Sequence, residues 1–131
     1  MRHGIIWFME DLTPAQATAL HEHIAAQRQR TLERIAALES QFDDIVESSA
    51  DSVRDDEHDP EGATIAFERA QVASLLAAAR GELVALDAAA QRLHDDPAGR
   101  CEHCGQAIGP ERLMARPSAT RCVTCATSGR P

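Results

Sequence analysis

Apolar residues recur at intervals of three and four over two long stretches of the chain, the period of an amphipathic helix. In the first stretch they fall at Ala17, Leu20, Ile24, Ile35, Leu38, Phe42 and Ile45, with Arg28 and Thr31 interrupting the stripe. Thr13-Pro14-Ala15-Gln16 supplies a start signal: Thr13 as N-cap, Pro14 at the first helical position and Gln16 at the capping-box position. No Gly or Pro follows until beyond Val53, so the pattern predicts a helix of about forty residues, roughly 60 Å long at 1.5 Å per residue. The second stripe steps through Val72, Leu76, Ala79, Leu83, Leu86, Ala90 and Leu93, and Ile65 extends it backwards through Arg69. Asp59-Pro60 reads as N-cap and first position, weakened by Gly62. Asp95-Asp96-Pro97-Ala98-Gly99 stops this helix near His94.

Two long helices with matching stripes and a short connection predict an antiparallel coiled-coil hairpin over residues 13–95, with Leu76, Leu83 and Leu86 packed near Ile24, Ile35 and Leu38. One continuous helix is disfavoured by Pro60 and Gly62. Residues 1–12 are expected to be a flexible leader. The apolar run Ile5-Ile6-Trp7-Phe8-Met9 leaves two other readings open: a cap on the helical seam, or sequence upstream of a start at Met9.

Composition sharpens this picture. Aromatic residues make up only 3% of the 131 residues, and much of the apolar content is alanine, so the seam must be thin. The net charge is −8, from 21 acidic against 13 basic groups, and every one of the basic groups is an arginine. That balance argues against non-specific nucleic-acid binding, which needs phosphate neutralisation. It points to a protein partner. The acids cluster where the hairpin turns: Asp43, Asp44, Glu47, Asp51, Asp55, Asp56, Glu57, Asp59 and Glu61 face only Arg54. The plain reading is a solvated turn with helix N-terminal acids. The sharper one is an acidic probe on a stalk, at about residues 54–61.

The C-terminal part, residues 96–131, carries all four cysteines. Cys101-Glu102-His103-Cys104-Gly105 and Cys122-Val123-Thr124-Cys125 are two CxxC knuckles separated by seventeen residues, a spacing typical of a four-thiolate zinc site. Gly105 suits a knuckle exit that needs positive φ. Disulfides or a redox pair are the competing readings, and His103 is an alternative ligand that four cysteines make unnecessary. A filled tetrahedron leaves no position for catalysis. There is no nucleophile triad and no phosphate-binding glycine loop, and His21 and His23, two apart on a helix, cannot face one metal together. The expectation is a structural zinc finger in a protein that is not an enzyme. No apolar run is long enough to span a membrane, and Gly4 to Met9 is too short for a signal peptide. Paired cysteines bound to metal fit a cytoplasmic location, where thiols stay reduced.

Around the knuckles the sequence reads Cys101-x-x-Cys104-Gly105-x-x-Ile108, then Arg112-Leu113-x-Ala115-x-Pro117-x-Ala119, then Cys122-x-x-Cys125. In these positions, and in the acidic hairpin before them, it resembles the DksA/TraR family of bacterial RNA polymerase-binding regulators over roughly residues 13–127. The resemblance implies a transcription regulator whose coiled coil enters the polymerase secondary channel and modulates initiation. Its zinc module would touch the channel rim, without sequence-specific DNA binding, and guanosine tetraphosphate acts in the complex with some members. It also implies acidic residues at the hairpin turn that approach the polymerase active site. The family pattern there has two aspartates three apart and an alanine two further on. Asp56 and Asp59 keep the aspartate spacing, with Glu61 in the place of the alanine. Aligned instead through Asp59-Pro60, Gly62 and Thr64 take the places of the second aspartate and the alanine. The alternative function is a zinc-stabilised coiled-coil adaptor for another protein.

Overall fold

Thr13 and Gln16 cap the first helix reciprocally. The Gln16 backbone N–H donates to Thr13 Oγ1 at 3.1 Å, and the Thr13 N–H donates to Gln16 Oε1 at 2.9 Å. From that cap, α1 runs over Pro14–Ser52 and α2 over Pro60–Asp95. Two short helices follow, α3 over Pro110–Ala115 and α4 over Val123–Ser128. The structure is a computed structural model that describes residues 10–52 and 60–128, without the side chains at 50–52 and 60–61. The fold is therefore mainly α: an antiparallel helical hairpin followed by a small four-cysteine finger. Asp56 and Asp59, and with Asp59 the expected cap of α2, lie outside the described residues, as does the side chain of Glu61.

The chain divides into two compact units. The second, Gln29–Leu83, is a pure helix pair. Its core is Ile35, Leu38 and Ile45 from α1 with Val72, Leu76 and Ala79 from α2; Phe42, Ile65 and Leu83 pack partly buried at its margin. Cross-helix pairs fix the antiparallel direction. The Thr31 hydroxyl donates to Glu82 Oε2 at 2.5 Å, and Arg80 meets Glu39 at 2.7 Å. The Arg80–Glu39 pair is half exposed, so it steers register more than it stabilises. Thr31, expected to interrupt the stripe, is wholly buried and is part of it. A hydroxyl that finds a carboxylate across the seam can sit where a leucine otherwise would.

The first unit combines Met1–Arg28 with Val84–Pro131. Its core draws Ala17, Leu20 and Ile24 from α1, Leu86, Ala89 and Leu93 from α2, and Cys101, Ile108, Leu113, Cys122 and Cys125 from the C-terminal segment. One of the helical positions differs from the expected stripe. Ala89 is buried, while Ala90 packs only partly covered against the core. A 3.6-residue helix drifts against a strict seven-residue pattern, so the neighbouring alanine rotates inward.

The expected boundary between a hairpin ending at residue 95 and a separate finger is not where the packing divides. The finger shares one apolar core with the helix segments on either side of it in this unit. Residues 1–9 of the expected leader lie outside the described residues, and the two positions at its end make contacts. Leu12 is buried in this core and its N–H donates to the Ala98 carbonyl at 3.0 Å, and Asp11 pairs with Arg100 at 2.8 Å. No helix among the described residues is long and apolar enough to cross a membrane.

Candidate metal centre

The segment after α2 is shaped by two glycines. Asp96 accepts from the Ala98 N–H through its side chain and from the Gly99 N–H through its carbonyl, closing the turn that ends the helix. Gly99 has φ +74°, and a Cβ there would stand 2.9 Å from Leu113 Cδ1 and 3.2 Å from Leu12 Cδ1. Only glycine lets the backbone pass so close beneath two leucines. The chain then pairs with itself. A single bridge joins Arg100 and Ala107, the Ile108 N–H donates to the Gly99 carbonyl, and the Cys101 N–H donates to the Gln106 carbonyl at 2.7 Å. This narrow ladder frames the first knuckle. Gly105 takes φ +79°, the positive value expected for its exit, and its N–H donates to the Cys101 carbonyl at 3.0 Å.

The second knuckle is built on a helix start. Cys122 immediately precedes α4 and its carbonyl accepts from the Ala126 N–H at 2.9 Å, so Cys122 and Cys125 lie one turn apart. Three bonds tie the knuckles to their surroundings. The Glu102 N–H donates to the Thr120 carbonyl at 2.9 Å, Arg112 Nε to the Arg121 carbonyl at 2.9 Å, and Arg92 of α2 to the Ala119 carbonyl at 3.1 Å. Ile108 and Leu113 are 2% and 4% exposed, which anchors the linker between the knuckles in the core.

All four sulfurs converge. Those of Cys101, Cys104, Cys122 and Cys125 lie within 4.8 Å of one another, and Cys104 Sγ is 3.7 Å from Cys122 Sγ. A tetrahedron of thiolates at ~2.3 Å from a zinc ion has sulfurs ~3.8 Å apart, so the cluster fits one ion. It does not fit a disulfide, which needs sulfurs about 2.05 Å apart, and all four cysteines are free. The His103 ring stays exposed, and none of its atoms belongs to the cluster; its backbone N–H points at Cys101 Sγ at 3.4 Å.

Electrostatics separate the thiols. Burial pushes Cys101 upward, but N–H donors from Cys104, Cys122 and His103 outweigh it and bring the thiol down to about 6. Cys125 is pushed up to about 12 by burial and by the sulfurs of Cys122, Cys104 and Cys101 around it. At Cys104 a hydrogen bond from the Gln106 backbone favours the thiolate, yet burial and the neighbouring Cys101 and Cys122 leave it raised. Four thiolates cannot all ionise side by side without a cation. A divalent ion at the centre removes that obstacle.

The match to known proteins is concentrated on this centre. Residues 97–128 match the prokaryotic dksA/traR C4-type zinc finger. The RNA polymerase-binding transcription factor DksA of Haemophilus influenzae is 43% identical over 42 residues, which cover 32% of this chain and 29% of that protein. The factor of the same name from Escherichia coli strain K12 is 46% identical over 37 residues, 28% of this chain and 24% of that one. The matched segment thus spans less than a third of the curated relatives. The solved structure of transcription factor DksA2 from Pseudomonas aeruginosa extends the likeness to the hairpin. It superposes with a TM-score of 0.73 at 25% identity, covering 88% of this chain and 83% of that chain.

The finger is thus similar to the dksA/traR C4 type, and the chain as a whole is similar to DksA2. Zinc is the ion expected in its C4-type finger, and the four clustered thiols suit it. Several positions of the DksA/TraR pattern acquire physical roles here. Ile108, Leu113 and Pro117 are buried, Ala119 packs against the core, and Arg112 locks the start of the second knuckle through the Arg121 carbonyl. Sequence reasoning missed two contributors. In the sequence Gly99 reads only as part of a helix stop, although a glycine two residues before a knuckle hints at close packing. Arg92, in the last turn of α2, carries no motif that would single it out, since a cation there is what the helix dipole favours.

Proposed function

We propose that this chain binds RNA polymerase, the activity for which its DksA relatives are named, and that it modulates transcription initiation. One observation carries the reading: the likeness to DksA2 covers 88% of this chain, so it takes in the hairpin as well as the finger. In this reading residues 13–95 form the coiled coil that enters the secondary channel, with residues 54–61 as its tip. Residues 96–131 form the finger that meets the channel rim. Cys101, Cys104, Cys122 and Cys125 hold one zinc ion and leave it no open position, so the metal is structural. Asp56, Asp59 and Glu61 supply the negative charge that approaches the polymerase active site. The protein works in the cytoplasm, contacts no specific DNA sequence and performs no catalysis of its own. Guanosine tetraphosphate acts, where it acts, on the complex.

The test is a photo-crosslinker placed at residue 57 of the zinc-loaded chain and mixed with purified polymerase. Crosslinks to the channel-forming subunits support insertion. Binding without such crosslinks removes the insertion model, and no binding at all favours the adaptor function. Charge is tested separately. Asn caps a helix about as well as Asp, so Asp59→Asn keeps the fold and the binding while weakening the effect on initiation, measured with and without guanosine tetraphosphate. If Asp56, Asp59 and Glu61 can all be neutralised without changing transcription by a polymerase that still binds, the charge has no part in the activity.

A further inference from the structure

The first unit holds a cavity of about 130 Å³ where α1, the end of α2 and the linker between the knuckles meet. Its floor is apolar and comes from all three: Leu20 and Ile24 of α1, Leu93 of α2, and Ile108, Leu113 and Pro117, every one of them buried. The space exists because Ala89, Gly99 and Ala119, which also line it, offer little or no side chain to fill it. Four charged residues complete the lining: Arg92, Asp95, Asp96 and Arg100. All four are exposed or half-buried, so they mark the mouth. Each is already engaged. Arg92 donates to the Ala119 carbonyl, Arg100 pairs with Asp11, Asp95 accepts from Gln91, and Asp96 accepts from the Ala98 N–H.

We propose that this cavity is a binding site for a small uncharged apolar molecule, a ring or branched group of about six carbons. An apolar cavity of about 150 Å³ is large enough for benzene and a poor host for water. The groups at the mouth decide the charge of the guest. A charged guest needs a partner once it leaves water, and these four side chains have theirs inside the protein. An apolar guest leaves those pairs intact and gains dispersion contacts with the whole lining. Its effect follows from the position of the cavity. A molecule that touches α1, α2 and the linker together binds only the folded first unit. Zinc favours that same unit, so each strengthens the binding of the other. The site thus links a small apolar molecule to the metal affinity of the finger. This proposal does not depend on polymerase binding.

Benzene is the probe, added to the full zinc-loaded chain and followed through the methyl signals in NMR spectra. Saturable shifts are expected at Leu20, Ile24, Leu93, Ile108 and Leu113, with none at Val72 or Leu76 of the second unit. Zinc should bind several-fold more tightly in competition with a chelator once benzene is saturating. Ala89→Leu, which fills the space from α2, should abolish both effects while zinc content and helicity stay unchanged. Ala119→Val fills it from the linker and serves if Ala89→Leu fails to load zinc. Benzoate, the charged analogue, should leave the signals in place. The proposal is overturned by shifts that do not saturate or do not appear, by equal shifts in both units, or by shifts that persist in a folded, filled variant. Benzoate binding as well as benzene, or a zinc affinity unmoved at saturating benzene, overturns it equally.

Discussion

Thr31 is wholly buried between the helices, and its hydroxyl donates to Glu82 Oε2 at 2.5 Å while Arg34 reaches the same oxygen at 3.6 Å. The residue that breaks the apolar stripe in the sequence is thus among the most enclosed in the hairpin. The Glu82 side chain keeps 39% of its exposure, so water can replace the hydroxyl if it is lost. Thr31→Val, which keeps the shape, should change stability by less than about 1 kcal/mol, whereas Thr31→Ala also loses packing and should cost about 1–3 kcal/mol. Denaturant unfolding of both variants decides it. Equal losses would mean that the hydrogen bond, not the shape, holds the position.

Leu86 and Leu83 lie on the same stripe but should respond differently. Leu86 is 2% exposed in the first unit's core, while Leu83 packs only partly covered at the margin of the second. Leu86→Ala should cost about 2–5 kcal/mol, with Leu83→Ala at or below the low end of that range, because an exposed site relaxes into the gap. Thermal melts of the two variants side by side provide the check. An unchanged Leu86→Ala protein would refute the pairing of α1 with α2 in that unit.

Replacing Cys122 with Ser should release zinc, and the damage should not stop at the finger. Cys101, Cys122 and Cys125 share a core with Leu20, Ile24, Leu86 and Leu93. Amide exchange should therefore accelerate over residues 14–28 and 84–95 as well as beyond residue 96, with Gln29–Leu83 keeping its protection. Acceleration confined to residues after 96 would show that the finger folds and unfolds alone.

Two glycines offer a paired test. Gly99 and Gly105 both have positive φ, but a side chain at Gly99 would collide with Leu113 and Leu12, while Gly105 has nothing within 4 Å. Gly99→Ala should destabilise by more than about 1 kcal/mol, adding a collision to the backbone strain, and Gly105→Ala should cost only the strain. Metal-loaded protein of each variant, unfolded in denaturant, gives the comparison.

Zinc binding should release protons, but fewer than four. Cys125 and Cys104 are held above the ordinary thiol range and must give up protons to bind metal, whereas Cys101, lowered to about 6, is already a thiolate at neutral pH. Protons compete for the remaining thiols, so zinc affinity should fall as the solution is acidified and fall most steeply once Cys101 also protonates. Calorimetric titration in buffers of different ionisation enthalpy counts the protons. A release of four at neutral pH would contradict the low value for Cys101.

Much of this was legible in the sequence because it depends on local chemistry. The Thr13–Gln16 cap, the lengths of α1 and α2, the stripe from Ile35 to Ile45 and the positive φ of Gly105 each follow from residues a few positions apart. What escaped depends on partners far along the chain. Thr31 looks like a flaw until Glu82 stands opposite it. Asp11 looks like leader until Arg100 meets it, and nothing singles out Arg92 until the Ala119 carbonyl accepts from it. The spacing of the cysteines announced one metal site, but could not say that the sulfurs would be packed into the same core as Leu20 and Leu93.

That division of apolar side chains into two cores, one with cysteines among its members and one without, has a consequence for any measurement of how firmly this chain holds together. A chelator acts on one account and heat draws on both. The two-state assumption that turns a melting curve into one free energy requires a single cooperative block, and here the metal's contribution belongs to one block only. Stripping the ion should leave a chain that is part native and part substrate for proteases. Zinc supply would then govern the lifetime of the molecule without ever touching Gln29–Leu83.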